Sequence, residues 1–122
     1  MITQRNFKIK TEGVKFYSSY LDIMNGILKL TNREKDVLSW FMDRESYSNE
    51  NIVKESIFSK SNRRLAEAQL GVTPHYLNNY IKSLKKKGMI VKTNGGLELK
   101  QSIYVDKNNG IKIQFEIEPM DK

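Results

Sequence analysis

Tyr17, Tyr20, Leu21, Met24, Ile27 and Leu28 recur at intervals of three and four, the spacing that gathers side chains on one face of a helix. Gly26 interrupts the stripe at a cost of about 1 kcal/mol relative to alanine. Such a stripe is either core or a seam between two copies of the chain. Ahead of it, Phe7, Ile9, Val14 and Phe16 alternate with polar residues around Glu12-Gly13, which predicts a short hairpin or an extended arm. The next helix is marked by its start. Thr31 and Glu34 stand in capping-box spacing, so the hydroxyl can accept from the N3 backbone N–H while the glutamate reaches back to the cap. Val37, Leu38 and Phe41, with Trp40 or Met42 at the edges, form the buried face of that helix. From Asp43 to Ser61 the chain is mostly polar, with Ile52, Val53, Ile57 and Phe58 as its anchors. This predicts a loop with one short helical turn.

The run "SNRRLAEAQLG" predicts a short helix capped by Ser61 or Asn62 and stopped at Gly71, where a left-handed conformation is cheap. Thr73 can cap the next helix, and Pro74 suits its first position because the missing N–H would have been unpaired there. Two helices joined by so short a turn cross steeply, as a helix-turn-helix. On the second of them, Leu77, Ile81 and Leu84 cluster on one side with Tyr80 at the edge. His75, Asn79, Lys82 and Lys86 cluster opposite, flanked by Tyr76, Asn78, Ser83 and Lys85. After Gly88 the period changes. Met89, Ile90 and Val91 predict a strand, Asn94-Gly95-Gly96 a hairpin turn, and "LELK" the return. "SIYV" and the turn "DKNNG" then lead into Ile111, Ile113, Phe115 and Ile117, whose strict alternation predicts a half-buried antiparallel strand and thus a second hairpin. The class expected is α+β, mainly α, in one domain over 1–122. Its parts are an N-terminal arm and helix over 1–30, a helix-turn-helix and β-hairpin core over 31–105, and a C-terminal strand over 106–122.

Charge sharpens this picture. Between residues 60 and 92 stand eight basic residues (Lys60, Arg63, Arg64, Lys82, Lys85, Lys86, Lys87, Lys92) and one acid, Glu67. That stretch carries the whole net charge of +7, since the rest holds 13 basic and 13 acidic residues. A surface without a charged partner usually mixes the signs. A concentrated basic stretch and a pI near 9.6 instead fit a polyanionic partner. The chain has no cysteine and a single histidine, with neither a Walker-type glycine loop nor a metal-ligand cluster. The expectation is therefore no catalytic residue, no metal, no cofactor and no enzymatic activity. With no apolar run long enough to span a bilayer and no apolar signal region near the start, the expected location is the cytoplasm, or the host cytoplasm for a phage protein.

The stretch "LGVTPHYLNNYIKSLKKKGMIVKTNGG" resembles the winged helix-turn-helix families of bacterial and phage DNA-binding proteins. The match runs through Leu70, Gly71, Val72, Thr73, Leu77, Ile81, Leu84, Gly88, Met89 and Ile90, and the likeness covers roughly 31–105. The small residue usual in the first helix falls on Glu67 here, between Ala66 and Ala68. "LTNREKDVL" also resembles the opening of LuxR-type regulators, although in those the helix-turn-helix follows almost at once. The winged-helix resemblance implies a sequence-specific double-stranded DNA-binding protein, most simply a transcriptional regulator, with helix 74–87 in the major groove. His75, Tyr76, Asn78, Asn79 and Lys82 would then face base edges. Arg63, Arg64, Thr73, Ser83, Lys85, Lys86 and Lys92 would hold phosphates, and Thr93, Asn94, Gly95 and Gly96 would form the wing tip. A homodimer through 17–28 would double the contact. The alternative is a docking or assembly module in a replication, packaging or transcription complex, joined to a protein partner through the aromatic N-terminal part.

Overall fold

The computed structural model describes residues 8, 10–48, 56–94 and 96–119. Its order is α1 (Val14–Leu28), α2 (Asn32–Ser48), α3 (Lys60–Leu70), α4 (Pro74–Lys86), then an antiparallel pair β1 (Ile90–Thr93) and β2 (Gly96–Leu99), and one 3-10 turn at Lys107–Asn109. The architecture is mainly helical with a small hairpin. No helix among the described residues is long and apolar enough to cross a membrane.

α2 is the central post. α1 packs along it, α3 and α4 lean on its other sides, and β1 continues from α4. The core draws on all four helices and the hairpin: Tyr17, Tyr20 and Leu21 from α1, Val37, Leu38, Trp40, Phe41 and Met42 from α2, Ala66 from α3, Leu77, Ile81 and Leu84 from α4, and Ile90 and Leu99 across the hairpin. Ile57 and Phe58 are buried ahead of α3, with Phe58 stacked on Phe41 at 4.6 Å between ring centroids. α3 is joined to α2 by polar links. The Trp40 Nε1–H donates to Gln69 Oε1 at 2.6 Å, and Arg44 Nε donates to Asn62 Oδ1 at 3.2 Å.

The N-terminal half of the stripe on α1 is core. Tyr17, Tyr20 and Leu21 are buried in their own chain and Met24 and Leu28 are half-buried, whereas Ile23 and Ile27 stand exposed. α1 also begins earlier than the stripe implies. Gly13, at φ 60°, precedes its first turn, so Val14 and Phe16 are helical rather than part of an arm; Phe7 and Ile9 lie outside the described residues. Lys29 closes α1 in the left-handed region at φ 56°. Asn25 secures that turn, its Oδ1 accepting from the Leu30 N–H at 2.6 Å and its Nδ2 donating to the Leu30 carbonyl at 3.2 Å.

The capping box forms as spaced. Thr31 N–H donates to Glu34 Oε1 at 2.8 Å, and Glu34 N–H donates to Thr31 Oγ1 at 3.2 Å. α2 then outruns the expected loop by reaching Ser48. Asp43–Ser48 has few apolar residues, but Ser46 buries its hydroxyl by donating to the Asp43 carbonyl at 2.6 Å. Ile52 and Val53 lie outside the described residues. α3 is capped by Ser59, whose Oγ accepts from Asn62 N–H, rather than by Ser61 or Asn62. The small residue that lets α3 approach the core is Ala66, fully buried, one position before Glu67.

Gly71 ends α3 at φ 67°, with open space where a Cβ would stand. Gly71→Ala therefore meets no clash and carries only the left-handed backbone penalty. It should lower the unfolding free energy by about 1–2 kcal/mol in urea titration. A neutral result would mean that the turn relaxes without cost.

The C-terminal part departs most from the alternation in the sequence. The backbone turns at Lys100–Ile103, with Ile103 and Tyr104 N–H both donating to the Lys100 carbonyl at 3.0 Å. It then crosses onto α1 and α2 instead of returning beside β2. Tyr20 OH donates to the Ile103 carbonyl at 2.6 Å, and Lys107 N–H donates to Tyr17 OH at 3.0 Å. Lys107 Nζ meets Asp43 Oδ1 at 2.6 Å and lies 4.3 Å above the Tyr47 ring centroid. Partial burial alone would lower the Lys107 pKa, but the Asp43 carboxylate and the Tyr47 hydroxyl outweigh it and raise it. Carried away from the sheet edge, residues 111–118 have no ladder neighbour. Among the described residues the expected second hairpin and C-terminal strand are absent, and the sheet stays two-stranded.

Candidate nucleic-acid interface

α4 starts at a made cap. Thr73 Oγ1 accepts from Tyr76 N–H at 3.3 Å, and Pro74 occupies the first turn. Its apolar side is anchored by Leu77, Ile81 and Leu84, all buried, with Tyr80 half-buried at the edge. That anchoring fixes the rotation of the helix. His75, Tyr76, Asn78, Asn79, Lys82, Lys85 and Lys86 are consequently all exposed. His75 and Asn79 stand one turn apart, with Nε2 and Nδ2 separated by 3.4 Å, and the Tyr76 ring lies edge-on to His75 at 6.0 Å.

Three residues assigned to phosphates bond within the molecule, Thr73 as the cap of α4 and Arg63 and Ser83 across elements. Arg63 Nε donates to the Phe58 carbonyl at 3.0 Å, and its Nη1 donates to Asn78 Oδ1 at 3.1 Å. Arg63 thus ties the start of α3 to the outward side of α4. Ser83 is half-buried, and its hydroxyl donates to Glu34 Oε2. It sits at the seam between α4 and α2, which explains why a helical wheel alone places it on the outward flank. Arg64, Thr73, Lys85, Lys86 and Lys92 are exposed.

The charge distribution also changes. Lys87 Nζ pairs with Glu34 Oε1 at 2.6 Å and donates to the Lys29 carbonyl at 3.1 Å, so one of the eight basic residues is neutralised internally. Glu34 is the hub of this arrangement, serving as the α2 cap and as acceptor for both Ser83 and Lys87 of the α4 end. Burial would raise its pKa, but the Lys87 ammonium, the Ser83 hydroxyl and the Thr31 N–H and hydroxyl outweigh that and hold it at about 2. T-x-x-E spacing marks Glu34 as a cap. It carries no sign that the second carboxylate oxygen reaches a residue 49 positions away.

The hairpin follows directly. Gly88 and Met89 N–H donate to the Lys85 and Leu84 carbonyls at 3.1 and 2.9 Å, which turns the chain out of α4 into β1. Ile90 pairs with Leu99 and Thr93 with Gly96, so two residues, Asn94 and Gly95, make the link. Ile90 and Leu99 are buried at the base, while Lys92, Thr93 and Asn94 are exposed toward the tip. Gly96 sits at φ 108°, a conformation open to glycine, and Thr93 Oγ1 donates to its carbonyl at 3.3 Å. Gly95 lies outside the described residues.

These elements bring together a helix with an exposed amide, imidazole, phenol and ammonium row, and a short hairpin with an exposed lysine. Asn, His and Tyr supply directional donors and acceptors, and the lysines supply mobile point charges. Compared with protein-family models, curated proteins and solved structures, the chain finds no match.

Proposed function

We infer that this protein is a small winged helix-turn-helix protein that binds double-stranded DNA sequence-specifically, as a transcriptional regulator does. In this reading α3 and α4 are the helix-turn-helix, α4 enters the major groove and β1–β2 is the wing. The observation that carries it is the division of α4. Leu77, Ile81 and Leu84 hold one side in the core, while His75, Asn79, Lys82 and Lys86 form an exposed row on the other. Base edges are read by paired donors and acceptors, and phosphates by mobile cations. His75, Tyr76, Asn79 and Lys82 are the base-facing set, joined by Asn78 through its amide. Arg64, Lys85, Lys86 and Lys92 are the phosphate set, while Arg63 and Ser83 move from phosphate binding to bracing α4.

Five exposed cations on this surface (Arg64, Lys82, Lys85, Lys86, Lys92) fix the expected salt dependence. With four to five phosphates neutralised, log K for a mixed-sequence duplex should fall against log salt with a slope of about −3.5 to −4.5. Fluorescence anisotropy over a salt series measures it. A flat response, or no binding at low salt, removes the reading.

The docking-module alternative draws on other residues. Ile23 and Ile27 of α1 are exposed and apolar, and neither lies on α4. It is favoured if α4 charge reversals leave the partner complexes of the protein intact.

A further inference from the structure

The segment 111–118 is an eight-residue alternation without a ladder neighbour among the described residues. Gly110, at φ 66°, precedes it and Pro119 follows it, so it has the punctuation of a discrete strand. Its apolar positions are Ile111, Ile113, Phe115 and Ile117, all residue types favoured in sheets. Ile113 is packed against the core, but Ile111, Phe115 and Ile117 are exposed at 41%, 51% and 92%. The preceding residues are tied to α1 and α2 through Ile103 and Lys107, which carries the segment away from the chain's own hairpin.

We propose that this segment pairs antiparallel with the same segment of a second copy, joining two chains into a homodimer across a two-strand ribbon centred on Gln114. The self-complementarity of the sequence selects this occupant. With Gln114 opposite Gln114, Ile111 falls opposite Ile117, Ile113 opposite Phe115, and Lys112 opposite Glu116, each pair occurring twice by symmetry. One face of the ribbon is then wholly apolar and the other matches opposite charges. A parallel arrangement would set Lys112 against Lys112 and Glu116 against Glu116, and a slip by one residue would set apolar side chains against polar ones. This dimer does not depend on DNA binding and does not use α1.

The test uses the full chain, whose lack of cysteine makes cross-linking clean. Light scattering over a concentration series should show mass rising from 14.2 kDa to about twice that value. Ile117→Lys should abolish the rise while leaving the thermal melt of dilute protein unchanged, because Ile117 is exposed in the monomer. Lys112→Glu and Glu116→Lys should each weaken the dimer, and the two together should restore it. Under mild oxidation Gln114→Cys should give a disulfide-linked dimer much faster than Lys112→Cys, whose partner position is Glu116. A monomer at every concentration overturns the proposal. So does a dimer indifferent to Ile117→Lys, or equal cross-linking at the two positions, which would indicate another interface or pairing with the hairpin of the second chain.

Discussion

Glu34→Ala should destabilise the protein by about 3 kcal/mol in denaturant titration and lower its melting temperature by roughly 10 °C. Glu34 is the one carboxylate that caps α2 and receives both Ser83 and Lys87, and its side chain is only 3% exposed. The same contacts hold its pKa at about 2, against an ordinary 4.5, a shift of the same order at about 1.4 kcal/mol per pKa unit. The sign follows from the depressed value. The folded state holds the ionised form better than the unfolded chain does, so this stabilisation is complete above pH 4.5 and is lost as the pH falls toward 2. Stability measured between pH 6 and 2 should therefore fall more steeply for the parent than for Glu34→Gln, which keeps a capping group and loses the charge. Parallel pH profiles for the two, or a cost for Glu34→Ala below about 1 kcal/mol, would show that the pair is no stronger than an ordinary surface ion pair.

The second large effect concerns α4. Asn79→Ala should cost about 1–3 kcal/mol of DNA affinity at a single base-pair position and leave other positions unchanged. Lys86→Glu should instead weaken every sequence alike and make the salt slope shallower by about one unit or more. Both side chains are exposed and neither contributes to the core, so both variants should keep the parent's stability within about 0.5 kcal/mol. Selection from a random duplex library, repeated with each variant, separates the two outcomes. Equal loss of specificity in both would refute the division between base-facing and phosphate-facing positions.

Local signals in the sequence were sufficient where an element's partner lies close along the chain or is simply the core. The spacing of Leu77, Ile81 and Leu84 sets the rotation of α4, Thr73-Pro74 its start and Gly71 the stop of α3; all three are visible in the order of residues and present in the fold. The capping box at Thr31 and the buried side of α2 are legible for the same reason. Alternation over 111–118, by contrast, describes a face and not the neighbour that would complete it. The neighbour is missing because Tyr17, Tyr20 and Asp43, far away in sequence, capture residues 103–107. The length of α2 was hidden because Asp43–Ser48 offers few apolar residues and closes part of its polarity through Ser46. Ser83 and Arg63 also bond within the molecule, which neither the angle of Ser83 on α4 nor the charge of Arg63 on α3 reveals, because the partners belong to neighbouring elements.

On the DNA-binding reading proposed above, the bond between Arg63 and Asn78 bears on which base α4 would choose. A free asparagine side chain can donate and accept at once, the combination that grips adenine at N6 and N7. Here the Asn78 carbonyl oxygen already accepts from a guanidinium of α3, which uses one of its two lone pairs and weights the side chain toward donation through its amide hydrogens. A side chain restricted in this way offers protons and asks for lone pairs. In the DNA-bound form proposed above it would favour the acceptor edges, guanine through O6 and N7 or thymine through O4, over the amino edge of cytosine.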